Sequence, residues 1–278
     1  MAFCTERFLA ELHAIRFGRA VRVLEETTST IDVAWEWLHA DGPEGGVVIA
    51  ERQTRGRGRA GRTWTSPEGG LWMSVLARPG IGAEHVGRLG VALALATAEG
   101  VRAVTGCKGG VKWPNDVVLE GRKLAGVLGE AEIEGGRIVR AVLSVGLNVN
   151  LRQEALPEEV RGTATTLLEA TGREHALEPL AVRVLDRLEQ LWPSVMGDGI
   201  QLVAEWQERD ILFGREVAVE IGDETVRRED LGIDCEGALR LLVGGKERRV
   251  TVGEIGRLRG ADCWPARTRD EDSQIPLG

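Results

Sequence analysis

The sequence predicts an α+β fold with a small β-barrel appended toward its C-terminal end, and three observations carry that expectation. Helix-like and strand-like segments alternate up to about Asn150. From Gln153 to about Asp210 the pattern is helical, and from Gly214 onward about five short apolar runs are separated by glycine-containing turns.

Taken in order, Thr28, Ser29 and Thr30 precede IDVAWEWLHA, in which Val33, Trp37 and Leu38 recur at helical spacing, and a hydroxyl residue before such a run is an N-cap signal. Val47 to Ala50 and Leu71 to Ala77 read as buried strands, and Glu84 to Val104 as a core-facing helix rich in Ala, Leu and Val. The dipeptides Glu120-Gly121 and Gly135-Gly136 punctuate a stretch that reads as a three-stranded meander ending at Asn150. LAVRVLDRLEQLW carries an apolar helical stripe, which Pro193 is expected to stop. EVAVEI, Leu231 to Cys235, ALRLLV and ERRVTV are the strands of the expected barrel, and the charged, non-periodic tail ARTRDEDSQIPLG reads as disordered.

The chain has 278 residues, a formal net charge of −8 and 43% hydrophobic residues, enough apolar material to bury a core. The acidic balance argues against non-specific nucleic-acid holding as its main business. No apolar run approaches the roughly 18 residues of a membrane span, and the charged N-terminus lacks a signal core, so a cytoplasmic protein is expected. Cys4, Cys107, Cys235 and Cys263 are scattered, as are the four histidines, which supports neither a disulfide framework nor a zinc site.

The most informative segment is Glu51 to Trp72. Arg52, Arg55, Arg57, Arg59 and Arg62 fall within eleven residues, interleaved with Gly56, Gly58 and Gly61. Glycines let backbone N–H groups approach an anion, and guanidinium groups bind phosphate or carboxylate bidentately. Such a loop is expected to be mobile when empty and to close on an anionic ligand. Gly56-x-Gly58-x-x-Gly61 formally matches a dinucleotide fingerprint, but that motif must open a helix, and Trp64, Pro67 and Gly69-Gly70 do not continue one. A nucleic-acid segment or a solvated basic loop are the other readings.

A second motif, Lys112-Trp113-Pro114-Asn115-Asp116, is followed by RKLAGVL (122–128), in which Lys123 stands against Leu124, Ala125, Val127 and Leu128. An ammonium buried there needs an anionic partner, either Asp116 or a bound phosphate or carboxylate. Gly126 permits close approach of a ligand to the strand backbone.

GRGRAGRTW (56–64), KWPND (112–116), RKLAGVL (122–128) and GLNVN (146–150), in this order and spacing, resemble a biotin protein ligase, and the likeness runs from about Ser29 to about Val252. The resemblance implies a mixed-sheet catalytic domain flanked by helices over 1–210, an SH3-like barrel over 211–262 and a tail over 263–278. With only 28 residues before Ser29, it implies the form without an N-terminal DNA-binding domain. The implied reaction joins biotin to ATP with Mg²⁺ as biotinyl-5′-AMP, then transfers biotin to a lysine of a biotin carboxyl carrier domain, typically of acetyl-CoA carboxylase. No tightly bound cofactor is implied, and a homodimer through sheet edges is common in the family. A lipoate or octanoyl protein ligase shares the catalytic fold and is the nearest alternative; a nucleic-acid-binding protein using the arginine loop is the alternative of a different class.

Carried over by position, the resemblance puts Lys123 and Arg59 in catalytic roles. It places Ser29, Thr30, Gln53, Arg57, Gly58, Arg59, Lys123 and Gly126 around biotin. Arg57, Arg59, Arg62, Trp64, Asn115, Lys123 and Asn148 are placed around ATP or the adenylate, and Asp116 near Mg²⁺. Ile31 stands where the family has Asn. Ser29 and Thr30 have an ordinary alternative as helix caps.

Overall fold

Two tight turns set the register of the main sheet. In the computed structural model, which describes residues 3–221, 224–251 and 254–255, Glu120 and Gly121 have φ of +52° and +75°, and Gly135 and Gly136 have +55° and +76°. Positive φ at both central residues matches the right-handed twist of the flanking strands. The first turn joins β5 (Asp116–Leu119) to β6 (Arg122–Glu134), and the second joins β6 to β7 (Arg137–Leu147), so the expected meander forms. With β1 (Val21–Thr27), β2 (Val47–Gln53), β3 (Leu71–Ala77) and β4 (Gly110–Lys112) the strands make one seven-stranded sheet in the order β1-β2-β3-β7-β6-β5-β4. Only β1 and β2 run parallel, which makes the sheet mixed, as expected.

Side chains alternate across this sheet, and the two faces have different fates. Val47, Ile49, Met73, Val75, Val127, Leu143 and Val145 join the main core beneath α3 (Val86–Thr105) and α5 (Leu177–Met196). On the opposite face Val48, Leu76 and Val142 meet Ile31, Ala34 and Leu38 of α2 (Thr30–His39). That short helix covers only part of its face. The uncovered part, over β3, β7 and β6, lies under the arginine–glycine loop.

The remaining helices are α1 (Thr5–Glu11), α4 (Leu167–Thr171) and α6 (Ile200–Arg209). Pro193 does not stop α5, which runs on to Met196. Proline removes one hydrogen bond, but Trp192 and Val195 are buried in the main core, and their packing carries the last turn. Residues 153–166, expected to be helical, contain only two short 3₁₀ turns and then run beside β6, where Lys123 N donates to Thr163 O and Thr165 N to Lys123 O.

The C-terminal strands β8 (Glu216–Ile221), β9 (Glu224–Ile233), β10 (Leu239–Val243), β11 (Lys246–Val250) and β12 (Glu254–Ile255) form a second, antiparallel sheet in the order β11-β10-β9-β8-β12. This agrees with the small C-terminal β-domain expected, while the tail 263–278 lies outside the described residues. The turn from Asp234 to Ala238 seats this sheet on the main domain. Buried Arg88 donates from Nε to Cys235 O and from Nη1 to Val195 O and Gly197 O, and Trp113 Nε1 donates to Gly237 O at 3.1 Å.

Two carboxyls lie at this junction. Burial pushes Asp210 and Asp230 above the ordinary carboxylate value, and Asp210 raises Asp230 further by repulsion, to about 7. The folded chain therefore holds the Asp230 proton more tightly than the unfolded chain. Its contribution to stability is full below the unfolded value of 3.8 and is lost as pH rises toward about 7. Asp230→Asn keeps the Oδ1 acceptor for Gly232 N and removes the charge. At pH 8 it is expected to melt several degrees higher than the parent, a gain of about 1–3 kcal/mol, with little difference at pH 4. Thermal melts at the two pH values check this.

Candidate active site

Lys123 owes its direction to a single extra residue. Val117 pairs with Ala125 but Val118 pairs with Lys123, so Leu124 is bulged out of register. Leu124 and Ala125 consequently both enter the main core, and Lys123 and Gly126 share the opposite face. The ammonium lies 2.6 Å from Asp116 Oδ1, off the hydrogen-bonding direction, and 5.1 Å from the centre of the Trp64 ring. Lys123 is not the buried ammonium expected: it is the second residue of β6, and its side chain is 34% exposed. Its anionic partner in this structure is Asp116, which was one of the two readings of the motif.

Trp64 lies on a floor of two glycines. Gly126 and Gly146 are directly paired across β6 and β7. A Cβ on Gly146 would come within 2.5 Å of Trp64 Nε1, and one on Gly126 within 3.1 Å of its Cζ3. The indole also packs against the small cluster of Trp72, Leu151, Leu156 and Ala164. Its Nε1 is buried without an acceptor.

The loop itself is closely specified. Gly56 is buried where any side chain would strike Trp64 O and Ser66 Oγ, and Gly58 N donates to Arg62 O at 2.7 Å. A 3₁₀ turn at Arg59–Gly61 is the only helical element, so the dinucleotide reading fails on its own requirement. Arg57 Nη2 lies 3.0 Å from Asp32 Oδ1 and 3.4 Å from Glu130 Oε2, and Arg59 sits 5.9 Å over the Trp113 ring. Residues 57–62 with Leu128 and Glu130 line a cavity of about 270 Å³. Gly126, Leu128 and Glu130 alternate along one face of β6, so Lys123 and Arg57 stand toward two ends of one strand face. A larger cavity of about 510 Å³, between the N-terminal segment, α3 and α5, includes His13, Glu99, Arg183 and Asp186 but none of the residues singled out from the sequence.

The other predicted residues are placed as follows. Ser29 caps α2, its Oγ accepting from Ile31 N at 3.3 Å. Thr30 N and Oγ1 both donate to Gln53 Oε1, at 2.7 and 3.1 Å. Asn115 Nδ2 donates to Val127 O and Asn148 Nδ2 to Thr165 O, so both amides brace the backbone that flanks Lys123. Among the described residues no group of three His, Cys, Asp or Glu could hold a metal ion. A single carboxylate such as Asp116 suits Mg²⁺ only when phosphates complete the shell.

Sequence reasoning missed Asp32 and Glu130, the carboxylates that hold Arg57, and the buried hydroxyls of Ser66, Ser74 and Ser144. The only signal for the last two was a serine inside otherwise apolar strands. It also missed Gly146 as the partner of Gly126.

The profile of the Biotin/lipoate A/B protein ligase family matches residues 23–150. The Mycobacterium tuberculosis biotin–(acetyl-CoA-carboxylase) ligase is 37% identical over 222 residues, covering 78% of this chain and 80% of that protein. The chain belongs to this ligase family. The Bacillus subtilis bifunctional ligase/repressor BirA is 32% identical over 252 residues, 87% of this chain and 77% of that protein. A biotin protein ligase from Aquifex aeolicus, solved in complex with biotin and ATP, has a TM-score of 0.74 and 29% identity over 86% of this chain and 98% of that one. The seven-stranded mixed sheet flanked by helices is thus the biotin protein ligase fold. No helix among the described residues is long and apolar enough to cross a membrane.

Proposed function

We propose that this chain is an ATP-dependent biotin–protein ligase. The biotin carboxylate attacks the α-phosphate of ATP, the bond to the bridging oxygen breaks, and pyrophosphate leaves with biotinyl-5′-AMP formed. A lysine amine of a biotin carboxyl carrier domain, of the acetyl-CoA carboxylase type, then attacks the acyl carbon and releases AMP and a proton. The observation that carries this reading is one strand face of β6, in a chain of this family, with Lys123 and the glycine floor toward one end and the arginine-lined cavity toward the other.

The first step brings two anions together, so fixed cations near the reacting oxygens lower its barrier. Lys123 takes the carboxylate and α-phosphate, exchanging Asp116 for the substrate. Arg57 and Arg59 hold the phosphate, Arg57 leaving Asp32 and Glu130 to do so, and Arg62 supports the loop around it. Ser29, Thr30 and Gln53 receive the uncharged polar head of biotin, and Trp64 walls the pocket. Gly58 and Gly126 admit the ligand close to the backbone, while Asn115 and Asn148 hold the nucleotide side of the site. Asp116 would help hold a Mg²⁺ ion brought in with ATP, which would supply charge neutralisation at the phosphates. The catalytic domain is assigned to 1–210 and the SH3-like domain to 211–262, of which 256–262 lie outside the described residues, and the scattered free thiols suit a cytoplasmic enzyme.

Incubation with ATP, Mg²⁺ and biotin, lipoic acid or octanoic acid, followed by mass analysis, tests the reading. Biotinyl-5′-AMP is the expected product, and accumulation of only a lipoyl or octanoyl adenylate would overturn it. Arg59→Gly is expected to loosen retention of the intermediate, so that bystander lysines become biotinylated. Unchanged selectivity for the carrier domain, read by peptide mass mapping, would refute a retaining role for the loop.

A further inference from the structure

Two buried serines sit where the sheet would ordinarily place apolar side chains. On the face covered by α2, β3 presents Trp72, Ser74 and Leu76, and β7 presents Val142, Ser144 and Gly146. Ser74 and Ser144 are direct cross-strand partners, and Ser144 is in turn paired with Leu128, which lines the arginine-loop cavity. Ser74 has no exposed surface and Ser144 only 7%.

The hydroxyls belong to one chain of hydrogen bonds whose direction is determined throughout. Thr30 N must donate, so the Gln53 atom it meets is the amide oxygen Oε1. Thr30 Oγ1 also donates to Oε1, at 3.1 Å, which leaves Ser74 Oγ to donate to Thr30 Oγ1 at 2.8 Å. Ser144 must then donate to Ser74, also at 2.8 Å. On the far side of the amide, Gln53 Nε2 donates to Ser66 Oγ at 2.8 Å, and Ser66 to Trp64 O at 3.0 Å. Every proton points one way. The Gln53 amide can adopt only one orientation, and its second Nε2 hydrogen is the donor available to a ligand carbonyl.

We infer that Ser74 and Ser144 are positioning residues that make this site selective for an acid carrying a cyclic urea head over one carrying an apolar ring or chain. The inference rests on the proposed biotin reading and adds the residues that enforce it. Without Ser74, the Thr30 hydroxyl loses the donor that fixes its proton toward Gln53, and the amide that meets the urea is free to reorient. Neither serine touches the reacting carboxylate, so their effect falls on binding of the acid and not on the chemical step.

Pyrophosphate release from the full chain, measured with biotin and with lipoic acid, tests this. Ser74→Ala is expected to raise KM for biotin about tenfold, the scale of one hydrogen bond, 1.4 kcal/mol, with kcat close to that of the parent. The preference for biotin over lipoic acid should fall by the same factor. Ser144→Ala, which leaves the Ser74 to Thr30 bond intact, should shift both quantities the same way but less, and it carries the test if Ser74→Ala does not fold. A purely structural role would lower the melting temperature without moving KM or the preference, and that result overturns the inference. A parent chain active on biotin beside unmoved variants sinks the serine inference alone. A parent chain that releases no pyrophosphate with biotin sinks the ligase reading and this inference with it.

Discussion

Lys123→Ala is expected to reduce biotinyl-adenylate formation by about 10²–10³-fold or more, the cost of removing one preorganised charge at a developing anion. The fold should survive, because the Lys123 side chain is partly exposed and its backbone bonds to Thr163 and Thr165 do not depend on it. The loss also strands Asp116, which would then face the incoming carboxylate as a like charge about where its partner had been. Pyrophosphate exchange reads the first step in isolation. Lys123→Arg should recover little, since a broad planar guanidinium cannot occupy the space that the compact ammonium fills between Asp116 and the Trp64 ring. Normal pyrophosphate release from the alanine variant would refute the assigned role.

Gly146→Val is expected to abolish measurable biotin binding, a loss of about 10²-fold or more in affinity. A single Cβ there would lie 2.5 Å from Trp64 Nε1 and 2.8 Å from Cε2, well inside contact distance, and valine adds two further methyl groups. The indole must leave the floor, and with it goes one wall of the pocket. Much of the rest of the sheet face is unaffected, because the main core lies on the other side. Calorimetry with biotin, alongside near-ultraviolet circular dichroism to report the displaced tryptophan, checks both halves. Undiminished biotin affinity would mean that Trp64 has no part in the pocket.

What could be read from the sequence was what local chemistry decides. Glu120-Gly121 and Gly135-Gly136 specify two-residue turns by themselves, and the run Leu71 to Ala77, apolar except for Ser74, reads as a buried strand. The arginine–glycine loop stood out by composition and Lys123 by its apolar neighbours, whereas Trp64 was placed at the site by the family resemblance. What escaped depended on distance along the chain. Ser74 meets Thr30 across 44 residues and Ser144 across 70, and no local pattern announces such partners. β1 mixes Val21, Val23 and Leu24 with charged side chains, as an edge strand open on one side permits, and so lacks the apolar signature of its neighbours. Pro193 misled because a rule about backbone donors was outweighed by the burial of Trp192 and Val195. The bulge at Leu124 shifts the register by one residue, a displacement that no spacing in RKLAGVL reveals.

The seat of the C-terminal sheet has a consequence for any shortened version of this chain. Gly87, Gly199 and Gly237 let the turn from Asp234 to Ala238 lie backbone against backbone on the start of α3 and the junction before α6, and the Arg88 guanidinium closes over Cys235 O and Gly197 O. Cutting after residue 210 would strip that cation of part of its coordination and leave the Trp113 N–H facing open solvent. The fragment would be a damaged core and not a minimal enzyme, and the intact chain should melt in one cooperative transition despite its two sheets.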